Sequence, residues 1–104
     1  MSKTIDELLL SRVRLGVVTA LLANEWMSFG ALADAAETTG GNLGAHLAKL
    51  VEAGYVQEEK RFVDRRPQSR YRLASHGRTA FFQHVEHLRL LAKTKAQSLG
   101  KIAP

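Results

Sequence analysis

Two short stretches with helical periodicity meet at Thr38-Thr39-Gly40-Gly41, and the second runs directly into two strand-like stretches around a basic turn. In a chain of 104 residues, which has room for one core, that succession leaves few architectures open. Ser28 is a good N-cap for a helix from Phe29 to about Glu37, with Leu32, Ala33 and Ala36 on its buried side. Thr39 is the expected cap of the next helix. That helix carries Leu43, Leu47, Leu50 and Val51 on one face and ends at Gly54, the expected left-handed residue past its last turn.

The flanking elements follow the same rules. Thr4-Ile5-Asp6-Glu7 reads as a capping box opening a helical region to about Ala23, with Leu8, Leu15, Val18, Leu21 and Leu22 as its apolar stripe. Ser11 is a point where that region can split into two helices. Trp26-Met27 is a short extended piece, and Trp26 reads as a core anchor between helices. Tyr55 to Val63 and Ser69 to Leu73 are expected strands, joined by a turn over Asp64 to Gln68. Alternation in the second strand sets Tyr71 and Leu73 on one face and Arg70 and Arg72 on the other. Ser75 caps a long helix to about Ser98, with a near-heptad seam of Phe81, Val85, Leu88, Ala92 and Leu99, and the tail after Leu99 is expected to be loose.

Charge is unevenly spread. The whole chain has a formal net charge of +5, yet residues 60–78 hold Lys60, Arg61, Arg65, Arg66, Arg70, Arg72 and Arg78 against Asp64 alone. Such a concentration attracts polyanions, and the planar guanidinium fork suits phosphate oxygens. There is no cysteine, which removes disulfides, thiolate metal sites and cysteine nucleophiles. No nucleophile elbow, nucleotide-binding loop or zinc-protease signature occurs, so an enzyme is not expected. The apolar runs are too short for a bilayer span and the N-terminus does not resemble a secretory signal, so a soluble, cytoplasmic protein is expected.

Two helices joined by a tight glycine-containing turn form a helix-turn-helix candidate, and a basic hairpin directly after it completes a winged-helix arrangement, mainly α with a small β-hairpin. Glu25 to Val56 (EWMSFGALADAAETTGGNLGAHLAKLVEAGYV) and Phe62 to Leu73 (FVDRRPQSRYRL) are similar to small winged-helix regulators related to the MarR and ArsR groups. The resemblance covers roughly residues 8–90 and implies a dimeric DNA-binding repressor or activator, joined through its terminal helices.

On that reading the Gly41–Ala53 helix lies in the major groove, and Gly41, Asn42, Ala45, His46 and Lys49 lie towards its DNA side or flanks. The wing contributes Arg61, Arg65, Arg66, Gln68, Ser69 and Arg70 to backbone or minor groove. Few of the helix residues are large enough to reach base edges, so considerable dependence on DNA shape is expected. The last helix is too long for its own core, so a second copy is the expected partner, with Ile5, Leu8, Leu9, Phe81, Val85, Leu88 and Ala92 at the interface. His84 and His87, three residues apart, are short of a closed metal site unless a partner completes it, and no cofactor or metal is expected. The rival readings are a winged-helix protein-interaction module and a metal-responsive repressor.

Overall fold

The computed structural model describes residues 5–102, with side chains to residue 96. After a 3-10 turn at Glu7–Leu9, the elements are α1 (Arg12–Ala23), β1 (Met27–Ser28), α2 (Phe29–Ala35), α3 (Gly40–Glu52), β2 (Val56–Val63), β3 (Arg66–Leu73) and α4 (Ser75–Ile102). The strands form one antiparallel sheet in the order β1-β3-β2. This is a winged helix.

The N-terminal region departs from the single expected stripe. Asp6 caps the first turn, accepting from the Leu8 N–H, and Thr4, the expected cap, lies outside the described residues. Ser11 then caps α1 by accepting from the Arg14 N–H. Restarting the helix there shifts its inward face to Val13, Val17, Val18 and Leu21. The same break corrects the interface expectation for Leu9. Its side chain is 1% exposed in the chain's own core, whereas Leu10 points outward at 61%.

The helix pair closes tightly. Leu32 and Ala36 of the α2 region are buried, and a Cβ added to Gly16 on α1 would lie 3.3 Å from the Ala36 Cα. Small residues on both sides therefore allow the helix backbones to approach. α2 stops at Ala35 rather than Glu37, because Glu37 turns to a φ of +54°. Arg12 donates to the Ala36 and Glu37 carbonyls at 2.9 and 3.4 Å, satisfying acceptors that the helix end leaves open. α3 begins as expected, with the Thr39 hydroxyl accepting from the Asn42 N–H, and it buries Leu43, Leu47 and Leu50. Gly54 has a φ of +80°.

The hairpin is tighter than expected. Asp64 and Arg65 form a two-residue loop with φ of +53° and +65°, the mirror-image turn that matches strand twist. Arg66 and Pro67 consequently belong to β3, paired with Val63 and Phe62. Pro67 lies beyond the reach of β1, where β3 has a neighbour on one side only and a residue without an N–H is tolerated.

α4 runs to Ile102 rather than Ser98, so the loose tail after Leu99 is not observed as far as residue 102. Its 28 residues span about 42 Å at 1.5 Å per residue. The molecule measures 67 × 27 × 21 Å, with a radius of gyration of 16.8 Å against about 13 Å for a sphere-like chain of this length. α4 therefore protrudes. The face it turns to its own core is Gly77, Ala80 and His84, and a Cβ on Gly77 would collide with the Tyr55 carbonyl oxygen at 2.3 Å.

Candidate nucleic-acid interface

α3 has three differently equipped sides, set by its 3.6-residue repeat. Inward are the three leucines. Outward, Gly41, Asn42, Ala45, Ala48, Lys49 and Glu52 are exposed. A Cβ on Gly41 or Gly44 would meet nothing within 4 Å, so this helix offers a low surface that a duplex backbone could approach closely. Asn42 bends its amide back to the Thr38 hydroxyl at 2.8 Å, bracing the turn between α2 and α3. His46 sits on the flank towards α1.

The ring of His46 is engaged there. Its Nδ1 lies 2.8 Å from the Arg14 guanidinium, which also donates to the Leu8 carbonyl at 2.6 Å. Arginine donates only, so Nδ1 accepts and the ring is neutral with its proton on Nε2. Burial, Arg14 and Lys49 together lower its pKa from 6.5. His46 thus ties α3 to α1 and to the N-terminal turn.

The wing splits its cations between two faces. Strand pairing aligns Gln57 with Arg72, Glu59 with Arg70, Arg61 with Gln68 and Val63 with Arg66, which share one face. The other face carries Glu58, Lys60, Phe62, Pro67, Ser69 and Tyr71. A groove lined by Phe29, Gly44, Ala48, Val51, Glu58 and Tyr71 identifies this second face as the one turned to α3. Arg70 and Arg72 therefore look away from α3.

Their charges are also engaged. Arg70 pairs with Glu59 and stacks 3.8 Å from the centre of the Trp26 ring, while Arg72 donates to Gln57 at 2.7 Å and lies 5.1 Å from the same ring. Trp26 is not a core anchor. It is a half-buried plate beneath two guanidinium groups, packed on the outer face of the sheet, where the ring quadrupole attracts cations. Ser69 donates to Glu58 at 2.9 Å. By contrast Arg61, Arg65, Arg66 and Gln68 are exposed, and none of those three arginines forms an ion pair among the described residues. At the hairpin tip Arg61, Arg65 and Arg66 thus carry charge that no carboxylate among the described residues pairs.

Periodicity located the inward leucines, and the local excess of cations located the tip arginines. It missed Arg12 and Arg14, which hold the helix pair in place, because their partners are carbonyls and a ring distant in sequence. It also missed Trp26 and Phe62, whose environments depend on strand register. On α4, Phe82, Val85, Leu88, Leu90, Leu91 and Ala92 are exposed, and Phe81 is partly buried. His84 is 2% exposed and its Nδ1 has no partner, as with the Nδ1 of His87. Among the described residues no group of three or more His, Cys, Asp or Glu is placed to hold a metal ion, and no helix is long and apolar enough to cross a membrane.

The winged helix DNA-binding domain profile matches residues 13–92. An uncharacterised protein of Methanocaldococcus jannaschii is 31% identical over 83 residues, which are 80% of this chain and 90% of that protein. Among solved structures, a transcriptional regulator homologue from Pyrococcus horikoshii superposes with a TM-score of 0.63 at 28% identity, covering 91% of this chain and 88% of the other. A MarR-family transcriptional regulator from Silicibacter pomeroyi gives a TM-score of 0.66 at 23% identity, covering 92% and 72%; at that identity the likeness is one of fold. The helix pair, the three-stranded sheet and the hairpin tip are the parts of one domain type, and the chain belongs to the winged helix DNA-binding domain family.

Proposed function

We propose that this chain regulates transcription as a homodimer that binds double-stranded DNA with sequence preference, α3 entering the major groove and the wing tip lying on backbone or minor groove. The observation that supports the reading is one domain that carries both the low outer face of α3 and a wing tip with three arginines without an ion pair among the described residues, Arg65 in the loop and Arg61 and Arg66 on the ribbon face turned from α3. On α3, Lys49 contacts phosphate or base and Asn42 sits at the helix entry, while His46 seats the helix through Arg14. Gly41 and Ala45 keep the backbone close to the duplex. At the wing, Gln68 flanks the tip arginines, whereas Arg70 and Ser69 stiffen the ribbon through Glu59, Trp26 and Glu58.

The length and exposed apolar face of α4 support the dimer. A protruding helix with a row of large exposed apolar side chains has an unmet face, and a second copy covers it symmetrically. Phe81, Val85, Leu88 and Ala92 form the centre, with Ile5 and Leu8 of the N-terminal turn beside them. Two α3 helices then read half-sites about 34–36 Å apart, predicting a roughly palindromic site.

The test is a salt titration of binding to mixed-sequence duplex DNA. Replacing Arg65 and Arg66 together by Ala lowers affinity for all sequences and reduces the slope of log K against log salt by about 2. An unchanged slope removes the wing from the mechanism. One observation favours a second reading, a protein-interaction module: the outer face of α3 carries few large polar groups and includes Glu52. Absence of salt-dependent duplex binding by the unaltered chain would decide for it.

A further inference from the structure

Phe62 is 76% exposed at the end of β2, the most exposed of the large apolar side chains in the described part of the chain. Single surface hydrophobes are common and need no explanation by themselves. Here three further facts converge. Phe62 sits among Lys60, Arg61, Arg65 and Arg66, with Asp64 the only acidic neighbour in that stretch. Its cross-strand partner is Pro67, a rigid apolar residue that backs it. By strand alternation it also lies on the ribbon face turned to α3, while Arg61 and Arg66 lie on the opposite face.

We infer that Phe62 is an apolar wedge that inserts between base pairs in the minor groove, kinking the duplex where the wing meets it. This rests on the DNA-binding reading above and adds to it the residue that couples sequence to shape. A duplex seated on α3 meets the Phe62 face of the ribbon first. The ring then enters the stack while the arginines of the other face and the tip reach the flanking phosphates. Side-chain wedges of this kind unstack one step and bend DNA towards the major groove. The loss of stacking is least at pyrimidine–purine steps, so a TpA or CpA step is selected under each wing without a hydrogen bond to any base. This gives α3, which has few base-reading groups, a source of sequence preference. The basic surroundings distinguish the site from a protein-docking patch: an apolar ring on a ribbon whose tip and opposite face carry arginines suits a polyanion.

The experiment uses duplexes of about 30 base pairs that the unaltered chain selects from a random pool, labelled at both ends for energy transfer. Phe62→Ala is compared with Phe62→Leu, which keeps an apolar wedge. Neither change touches a buried position, and unaltered thermal melting confirms that both fold. Phe62→Ala is expected to abolish the bend, weaken binding about tenfold and erase the TpA or CpA preference, with Phe62→Leu close to the unaltered chain. Binding by Phe62→Ala with the bend and step preference intact overturns the wedge and leaves DNA binding standing. If the pool yields no duplex at all, the DNA-binding reading fails and the wedge with it. Phe62-dependent binding to phosphatidylserine vesicles, with no Phe62 effect on DNA bending, overturns the wedge as well.

Discussion

Tyr55 links the winged helix to its N-terminal turn through one side-chain bond, and removing that bond has a calculable effect. The ring is 8% exposed and packs edge-on against His76 at 5.1 Å. Its hydroxyl donates to one carboxylate oxygen of Asp6, whose other oxygen accepts from the Leu8 N–H. Burial, and then the bond and charge of Asp6, push the phenol pKa up to about 12 from 10. A pKa raised on folding means that the native state holds the proton more tightly than the unfolded chain. The resulting stability is complete below pH 10 and is lost as pH rises through about 12. Two pH units correspond to at most about 2.7 kcal/mol. Tyr55→Phe keeps the ring but removes the donor to a carboxylate, which costs about 1.5–3 kcal/mol near pH 7. At about 4–8 °C per kcal/mol, that lowers Tm by at least about 6 °C. Urea unfolding followed by circular dichroism, at one fixed protein concentration, measures both effects. The unaltered chain should lose stability steeply above about pH 10, and the variant only the share belonging to Tyr71, whose pKa burial and Glu58 also raise. Equal urea midpoints near neutral pH, or equal alkaline slopes in the two proteins, would refute the reasoning.

Two glycine substitutions should move stability in opposite directions. Gly77→Ala places a Cβ against the Tyr55 carbonyl and costs at least about 1–3 kcal/mol, because α4 must shift from the core. Gly41→Ala meets open space inside a helix and adds about 0.5–1 kcal/mol; thermal melting of both variants checks the pair. Replacing Val85 and Leu88 by Asp puts like charges across the proposed two-fold and should raise the dimer dissociation constant at least about 100-fold while leaving the monomer folded, as read by sedimentation equilibrium.

Local signals were strongest where a single residue type answers a single backbone need. Ser28, Thr39 and Gly54 marked helix boundaries correctly because a cap or a left-handed residue acts within one turn of chain. The three inward leucines of α3 followed from periodicity alone. One boundary misled. Pro67 argued for a longer turn, but the open edge of β3 accommodates it. At the N-terminus Asp6 caps the first turn, and α1 is capped by Ser11, the residue where the helical region was expected to be able to split.

The candidate site was half legible. A run of arginines is visible in one dimension, and so is the alternation that sets Arg70 opposite Tyr71. What each arginine faces is not. Arg70 and Arg72 are drawn to Trp26, Glu59 and Gln57, while Arg61, Arg65 and Arg66 form no ion pair among the described residues. Composition and spacing alone determined that this chain forms a helix pair followed by a basic hairpin and a long amphipathic helix, because caps, turns and apolar periods act over a few residues. Only the tertiary structure decided which cations remain available to a polyanion and which apolar side chains remain uncovered. Those outcomes depend on strand register and on contacts such as Arg14 with His46, 32 positions apart, which no local pattern encodes.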